Sequence, residues 1–109
     1  VHVLTDEEVG AGKKAYVSQV FLSVDGGTNW GTTATITLQD TAASPVAGAT
    51  FNATKLVANS MHQLASSDFT LLAPIADGAG FTAAKGLDIV GNANGTGSNL
   101  IVTVFGCIK

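Results

Sequence analysis

Two histidines, one thiol and eight acidic residues carry whatever chemistry this 109-residue chain can do. A zinc site wants three or four thiolate or imidazole ligands. His2 and His62 are sixty residues apart, and Cys107 is the only thiol, so no ligand set forms from spacing. Asp25, Asp40, Asp77 and Asp88 fall mostly at the ends of predicted strands, where Asp is favoured for turn-making. No D-x-D-x-D-G run turns them into a calcium loop. Glycoside hydrolysis needs two carboxylates held across a cleft. Glu7 and Glu8 are adjacent and point different ways. No Ser/His/Asp order stands out for nucleophilic catalysis. "GAGKK" (10–14) resembles a phosphate loop but lacks the G-x-x-x-x-G-K-[ST] spacing. A strand is expected after it, not the helix whose N-terminus would hold phosphate. A hinge is the stronger reading. Trp30, with Asn29 and Asp25, could make a sugar-stacking platform; more often a lone loop Trp caps the end of a sandwich. Asn52-Ala53-Thr54 and Asn94-Gly95-Thr96 match the glycosylation acceptor pattern, which arises easily in a chain rich in Asn and Thr. The expectation is no catalytic residue, no cofactor, no metal and no enzyme activity.

Composition narrows the class further. The chain is 46% hydrophobic and only 12% charged, about half the usual charged fraction. Solubility from charge is thin, which favours life in an assembly. All five cationic residues are lysines and the net charge is −3, so a nucleic-acid partner is not expected. One cysteine excludes an intrachain disulfide. Cys107, inside an apolar segment, reads as a small buried hydrophobe, with interchain pairing as the alternative. No stretch approaches the eighteen or so apolar residues of a membrane helix, so no membrane partner is expected. "VHVLTDEEVG" has acids where the basic region of a signal peptide would lie, and a start at Val1 reads as a processed or trimmed terminus. At this length, surface scaling gives one domain with a folded area of roughly 5,600 Å².

The elements that must position these residues are strands. Thirteen glycines break the chain into short runs. "AYVSQVFLSV" (15–24) reads as a strand ending at the Asp25-Gly26-Gly27 turn. "TTATITLQD" (32–40) alternates, with Ala34, Ile36 and Leu38 inward and Thr33, Thr35, Thr37 and Gln39 outward. Residues 41–48 turn at Pro45; 49–58 read as a strand with a bend; 61–75 hold one short and one longer strand. Residues 86–90 and 99–108 are strands on either side of a Gly/Asn loop (91–99). Thr5 before three acids predicts one helical turn near 5–9. The predicted fold is all-β: an antiparallel β-sandwich of jelly-roll type with about eight short strands (13–109), preceded by a short N-terminal arm (1–12).

The first and last strands are apolar on both sides. Tyr16, Val20, Leu22 and Val24 fall on one face of the first, Val17 and Phe21 on the other. In the last, Leu100, Val102, Val104 and Ile108 share a face with Gly106; Ile101, Phe105 and Cys107 share the opposite one with Thr103. A two-layer sandwich covers only one face of each sheet. A loop of the same chain or a second copy must cover the rest. A homo-oligomer is favoured, because identical patches then bury one another. Val17, Phe21, Ile101 and Phe105 are the predicted interface.

Two segments carry a family likeness. "GKKAYVSQVFLSVDGGTNWGTTATITLQD" resembles the opening hairpin of small bacteriophage capsid decoration (cement) proteins, and "AAKGLDIVGNANGTGSNLIVTVFG" is similar to their closing strand pair. The likeness spans residues 12–106 as a pattern of strands and turns, shared with phage fibre and spike modules; the final "CIK" departs from it. It implies a jelly-roll-like domain, commonly a trimer, on the outer surface of a phage head. The implied partners are the major capsid protein and other copies of the chain, with no catalysis. An extended terminal arm often makes the capsid contact in that family; Val1, His2, Val3, Leu4 and Thr5 would be the matching residues here. Two other readings stand beside it. One is a carbohydrate-binding or adhesive module, with Trp30, Tyr16 and loop 91–99 converging on a groove. The other is a fibre or pilus-like subunit that donates Val1–Thr5 as an added strand.

Overall fold

The computed structural model describes residues 2–30, 35–91 and 98–109. Eight strands and two short helices follow in order: β1 (His2–Leu4), α1 (Asp6–Val9), β2 (Ala15–Asp25), β3 (Thr35–Asp40), β4 (Ala47–Asn52), β5 (Met61–Gln63), β6 (Phe69–Leu71), α2 (Ala73–Ala76), β7 (Leu87–Gly91) and β8 (Asn99–Ile108), with a 3₁₀ turn at Ala53–Lys55 after β4. They form two antiparallel sheets, ordered β1-β7-β3-β4-β6 and β5-β2-β8. The expected all-β sandwich is therefore the fold, and it sets the first two strands beside the last two. The accessible area, 5765 Å², is close to the value expected from chain length.

Alternation builds the core. Val20, Leu22 and Val24 of β2 face Ile36 and Leu38 of β3, Ala49 and Phe51 of β4, and Leu87 and Ile89 of β7. Leu56, Leu64 and Phe81 close the core from the connections. Of the residues expected to alternate in 32–40, Thr33 and Ala34 lie outside the described ones. Ile36 and Leu38 are buried as expected.

Where an arm was expected, residues 2–9 fold onto the domain. β1 pairs with β7, His2 opposite Asp88 and Leu4 opposite Leu87. Gly86 makes this approach feasible: a Cβ there would lie 2.0 Å from the Leu4 carbonyl oxygen. The predicted helical turn is present as α1. Its Thr5 amide donates to Glu8 Oε1 at 3.0 Å, and the Glu8 amide donates to Thr5 Oγ1 at 3.2 Å. Those two bonds satisfy amides that a helix start would otherwise leave orphaned. Val9, at its end, is buried in the core. The 10–14 segment turns directly into β2, with the Lys13 amide donating to Gly10 O at 3.3 Å.

A bulge corrects one part of the sequence reading. The β2–β8 register shifts between Val17 and Gln19, leaving Ser18 as the extra residue. One extra residue inverts the inside/outside parity of everything before it. Ala15 and Val17 thus join Val20, Leu22 and Val24 on the inner side. Opposite the bulge stands Gly106, where a Cβ would sit 2.0 Å from the Tyr16 carbonyl oxygen. The other unanticipated element is α2, in a stretch read as strand. Pro74 stands in its first turn, where a missing N–H costs nothing.

Candidate functional site

The chemistry-bearing residues are dispersed and locally engaged. His2 is exposed and pairs with Asp88 across β1 and β7. His62 is mostly covered; its Nε2 lies 2.9 Å from Lys55 O, its Nδ1 3.4 Å from Asp68 Oδ2, and its ring packs against Phe51. Among the described residues, no group of three His, Cys, Asp or Glu could hold a metal ion. Glu8 is held below its usual pKa by its two bonds from Thr5. Asp6 is lowered to about 2 by the Thr41 hydroxyl, then the Gly86 amide and the Lys85 ammonium. Asp40, fully buried at the end of β3, accepts from the amides of Ala42 (3.2 Å), Val46 (2.9 Å) and Thr82 (3.0 Å). Burial pushes its pKa up, but bonds from the Thr82 side chain and these amides outweigh it and hold the carboxyl below the ordinary value. Asp77 accepts from the Ala79 amide at 2.9 Å. Three of these carboxylates thus organise loops: Asp40 fixes 41–46, Asp6 ties α1 to the 85–86 segment, and Asp77 closes the turn after α2.

Of the residues expected to converge on a sugar-binding groove, Trp30 and Tyr16 lie at opposite ends of β2. Trp30 is half-buried against the core, its amide donating to Leu56 O at 3.0 Å. Tyr16 stands near the start of β2, whereas Trp30 follows its end, beyond Asp25. Asn52 is exposed, and its side chain accepts from the Thr54 amide at 3.1 Å. Asn94 and most of loop 91–99 lie outside the described residues.

The two outer faces of the sandwich differ in kind. On the five-stranded sheet the outward residues are His2, Asp88, Val90, Thr35, Thr37, Gln39, Thr50, Asn52 and Thr70. A shallow polar cleft of about 530 Å³ runs between Thr35, Thr50, Asn52, Asp68 and Thr70. That is an ordinary wet face. The outer face of the three-stranded sheet holds large exposed apolar side chains among Gln19, Ser23, Gln63 and Thr103, and the charges near it, Asp25 and the Lys109 ammonium over Tyr16, stand at its two ends. Across it, Met61 and Ile101 flank Ser23, while Gln63 and Thr103 flank Phe21; Phe105 stands beside Gln19. Met61 is 71% exposed, Phe105 54% and Ile101 48%. Phe21 is half-buried, its ring edge-on to Phe105 at 5.9 Å. A protein core would use such side chains, yet here they meet water.

Three of the four predicted interface residues, Phe21, Ile101 and Phe105, therefore share one surface. Val17 does not: the Ser18 bulge turns it inward, where it packs against the core. Met61 is the residue the sequence did not reveal, because a three-residue strand is too short to set its own phase. The predicted capsid-contact residues do not form one exposed surface. Val1 lies outside the described residues, His2 faces the polar side, and Val3 and Leu4 pack against the core. Thr5 caps α1. β1 sits in its own sheet, so it is not held out as a donated strand.

A cleft of about 270 Å³ opens between the sheets near the β1 and β8 edges, walled by Val3, Leu4, Val17, Leu87, Val104 and Ile108. Cys107 stands at its rim and is exposed, not the buried hydrophobe expected, because β8 has no neighbour beyond it among the described residues. The Lys109 ammonium lies over the Tyr16 ring, 5.2 Å from its centre. No family model, no curated protein and no solved structure matches this chain.

Proposed function

We propose that this chain is a structural, non-catalytic subunit that self-associates over the outer face of the β5-β2-β8 sheet. On the resemblance to capsid decoration proteins, it would act on the outer surface of a phage head, as a trimer that stabilises the shell. The observation that carries the reading is the exposure of three large apolar side chains, Met61, Ile101 and Phe105, on one sheet face, each about half or more exposed. Several large apolar side chains held exposed on one face of a chain this poor in charge mark an interaction site. A protein that binds only the assembled shell stabilises it by mass action, and several weak contacts through an oligomer add as avidity.

The test has two stages. Light scattering over a concentration series should give a mass above that of one chain. The purified protein should then sediment with phage heads that lack a decoration protein. A monomer at all concentrations ends the self-association reading; an oligomer that binds no head surface ends the decoration reading and leaves the structural one.

A further inference from the structure

The sandwich has four sheet edges, and three are guarded. β1, β5 and β6 are each three residues long. Keeping an edge short is one way proteins prevent pairing with other chains; charges, prolines and bulges are others. The fourth edge, β8, is ten residues long and pairs only with β2 among the described residues. Between Asn99 and Ile108 there is no charged residue and no proline. The irregularity in the β2–β8 ladder belongs to β2, so β8 itself runs unbroken. Its inward residues Leu100, Val102 and Val104 are only partly buried.

We infer that the free edge of β8 pairs with β8 of a second copy, antiparallel, about a two-fold axis normal to the sheet. An open edge takes an extended backbone, and an uncharged edge gains nothing from a charged peptide. Among the described strands only β2, at eleven residues, is as long, and it is already paired on both sides. A second β8 matches in length and in chemistry. With the axis at Thr103, Ile101 lies opposite the partner's Phe105 and Val102 opposite the partner's Val104. Apolar residues then meet on both faces and no charges oppose each other, the pairing that favours sheet formation. The result is one six-stranded sheet whose outer face carries the exposed apolar residues of both copies. The inference rests on self-association as proposed above but not on the trimer the resemblance implies, since a two-fold edge requires an even-numbered assembly, and it adds an edge contact distinct from the face contact.

Hydrogen exchange of the wild-type chain separates edge from face. On raising the concentration until the oligomer forms, those β8 amides that do not donate to β2 should slow by about tenfold or more. Face stacking alone would leave them exchanging as in the monomer. As a second readout, Thr103→Cys in a Cys107→Ser background should form a disulfide-linked dimer under mild oxidation. Directly opposed residues lie about 5 Å apart, within a disulfide's reach. Thr70→Cys with Cys107→Ser, on the other sheet, serves as control. Three results overturn the edge contact while sparing the face: an oligomer with unprotected β8 amides, cross-linking no faster than the control, or a discrete trimer with no even-numbered species. A chain that stays monomeric overturns both.

Discussion

Phe105→Asp tests the apolar face most directly. In the isolated chain Phe105 keeps 54% of its surface in water. Taking about 200 Å² for a whole aromatic residue, about 110 Å² remains to be buried by a partner. At about 25 cal/mol per Å² that is about 2.7 kcal/mol per copy. Ordering a side chain at an interface costs about 0.5–1.5 kcal/mol, so about 1–2 kcal/mol per copy survives. Two copies meeting through one Phe105 each would lose about 2–4 kcal/mol, or about 30-fold to 1,000-fold in dissociation constant. The carboxylate's own desolvation adds to that loss. Inside one chain the substitution removes the edge-on contact with Phe21, worth about 0.5–1.5 kcal/mol beyond area burial, together with the part of the ring its own chain covers, a loss a sandwich with an otherwise intact core should survive. The far-UV spectrum should therefore stay that of a β-sandwich while the light-scattering mass falls to no more than an edge-paired dimer. Thr70→Asp, on the polar face, should change neither. A Phe105→Asp protein that keeps the wild-type oligomer would refute the reasoning, whatever its stability.

Three further outcomes follow from the loop carboxylates and from β1. Asp40→Ala leaves the amides of Ala42, Val46 and Thr82 without their buried acceptor; the expected loss is about 3–5 kcal/mol in urea unfolding, and a loss under about 1 kcal/mol would contradict it. Asp6 has a folded pKa of about 2 against an ordinary 3.8. A depressed carboxyl contributes stability above its unfolded pKa and loses it as pH falls through the folded value. The Val9 amide, which donates to Thr5 O in α1, should therefore exchange faster as pH falls from about 4 to about 2, after correction for intrinsic rates. Asp6→Asn should remove that step; a step that persists in the variant points to another group. Gly86→Ala forces a Cβ onto the Leu4 carbonyl, so β1 should detach and become the first site of limited proteolysis, with the β2–β8 ladder intact by hydrogen exchange.

What could be read from the chain was whatever repeats over several residues. The alternation of Ile36 and Leu38 with Thr35, Thr37 and Gln39 defined a half-wet strand, and β3 is one. The long apolar runs of 15–24 and 99–108 became β2 and β8, neighbours through ten paired positions. Thr5 with Glu8 announced α1 because a capping box is a local device. Single-residue events were not legible. Nothing in "VSQV" marks Ser18 as the extra residue, yet it decides whether Val17 or Tyr16 faces the core. Met61 could not be phased within three residues. Asp40 was read as a residue at a strand end, which it is; its burial depends on the Thr82 amide, 42 positions away, and no local pattern encodes that. The N-terminal segment differed in composition from the rest and so looked separate. Its attachment runs through Gly86, Thr41 and Lys85, all distant in sequence.

The case for a partner does not rest on overall hydrophobicity. It rests on a contrast within one molecule. With few charges to place, the chain puts them on α1, in turns and at strand ends. It lays threonine, asparagine and the His2–Asp88 pair over one outer face, and it keeps three of four edges to three residues. The same devices would serve the other face equally well. Ile101, Phe105 and Met61 point away from the core, so polar residues there would cost the sandwich's interior nothing. An apolar side chain held in water contributes little to folding one chain, since its burial has yet to occur. Its free energy is released only when something covers it. Those residues are thus better explained by an assembled state than by the stability of the single domain, and the distribution of polarity, not its total, points to where that assembly forms.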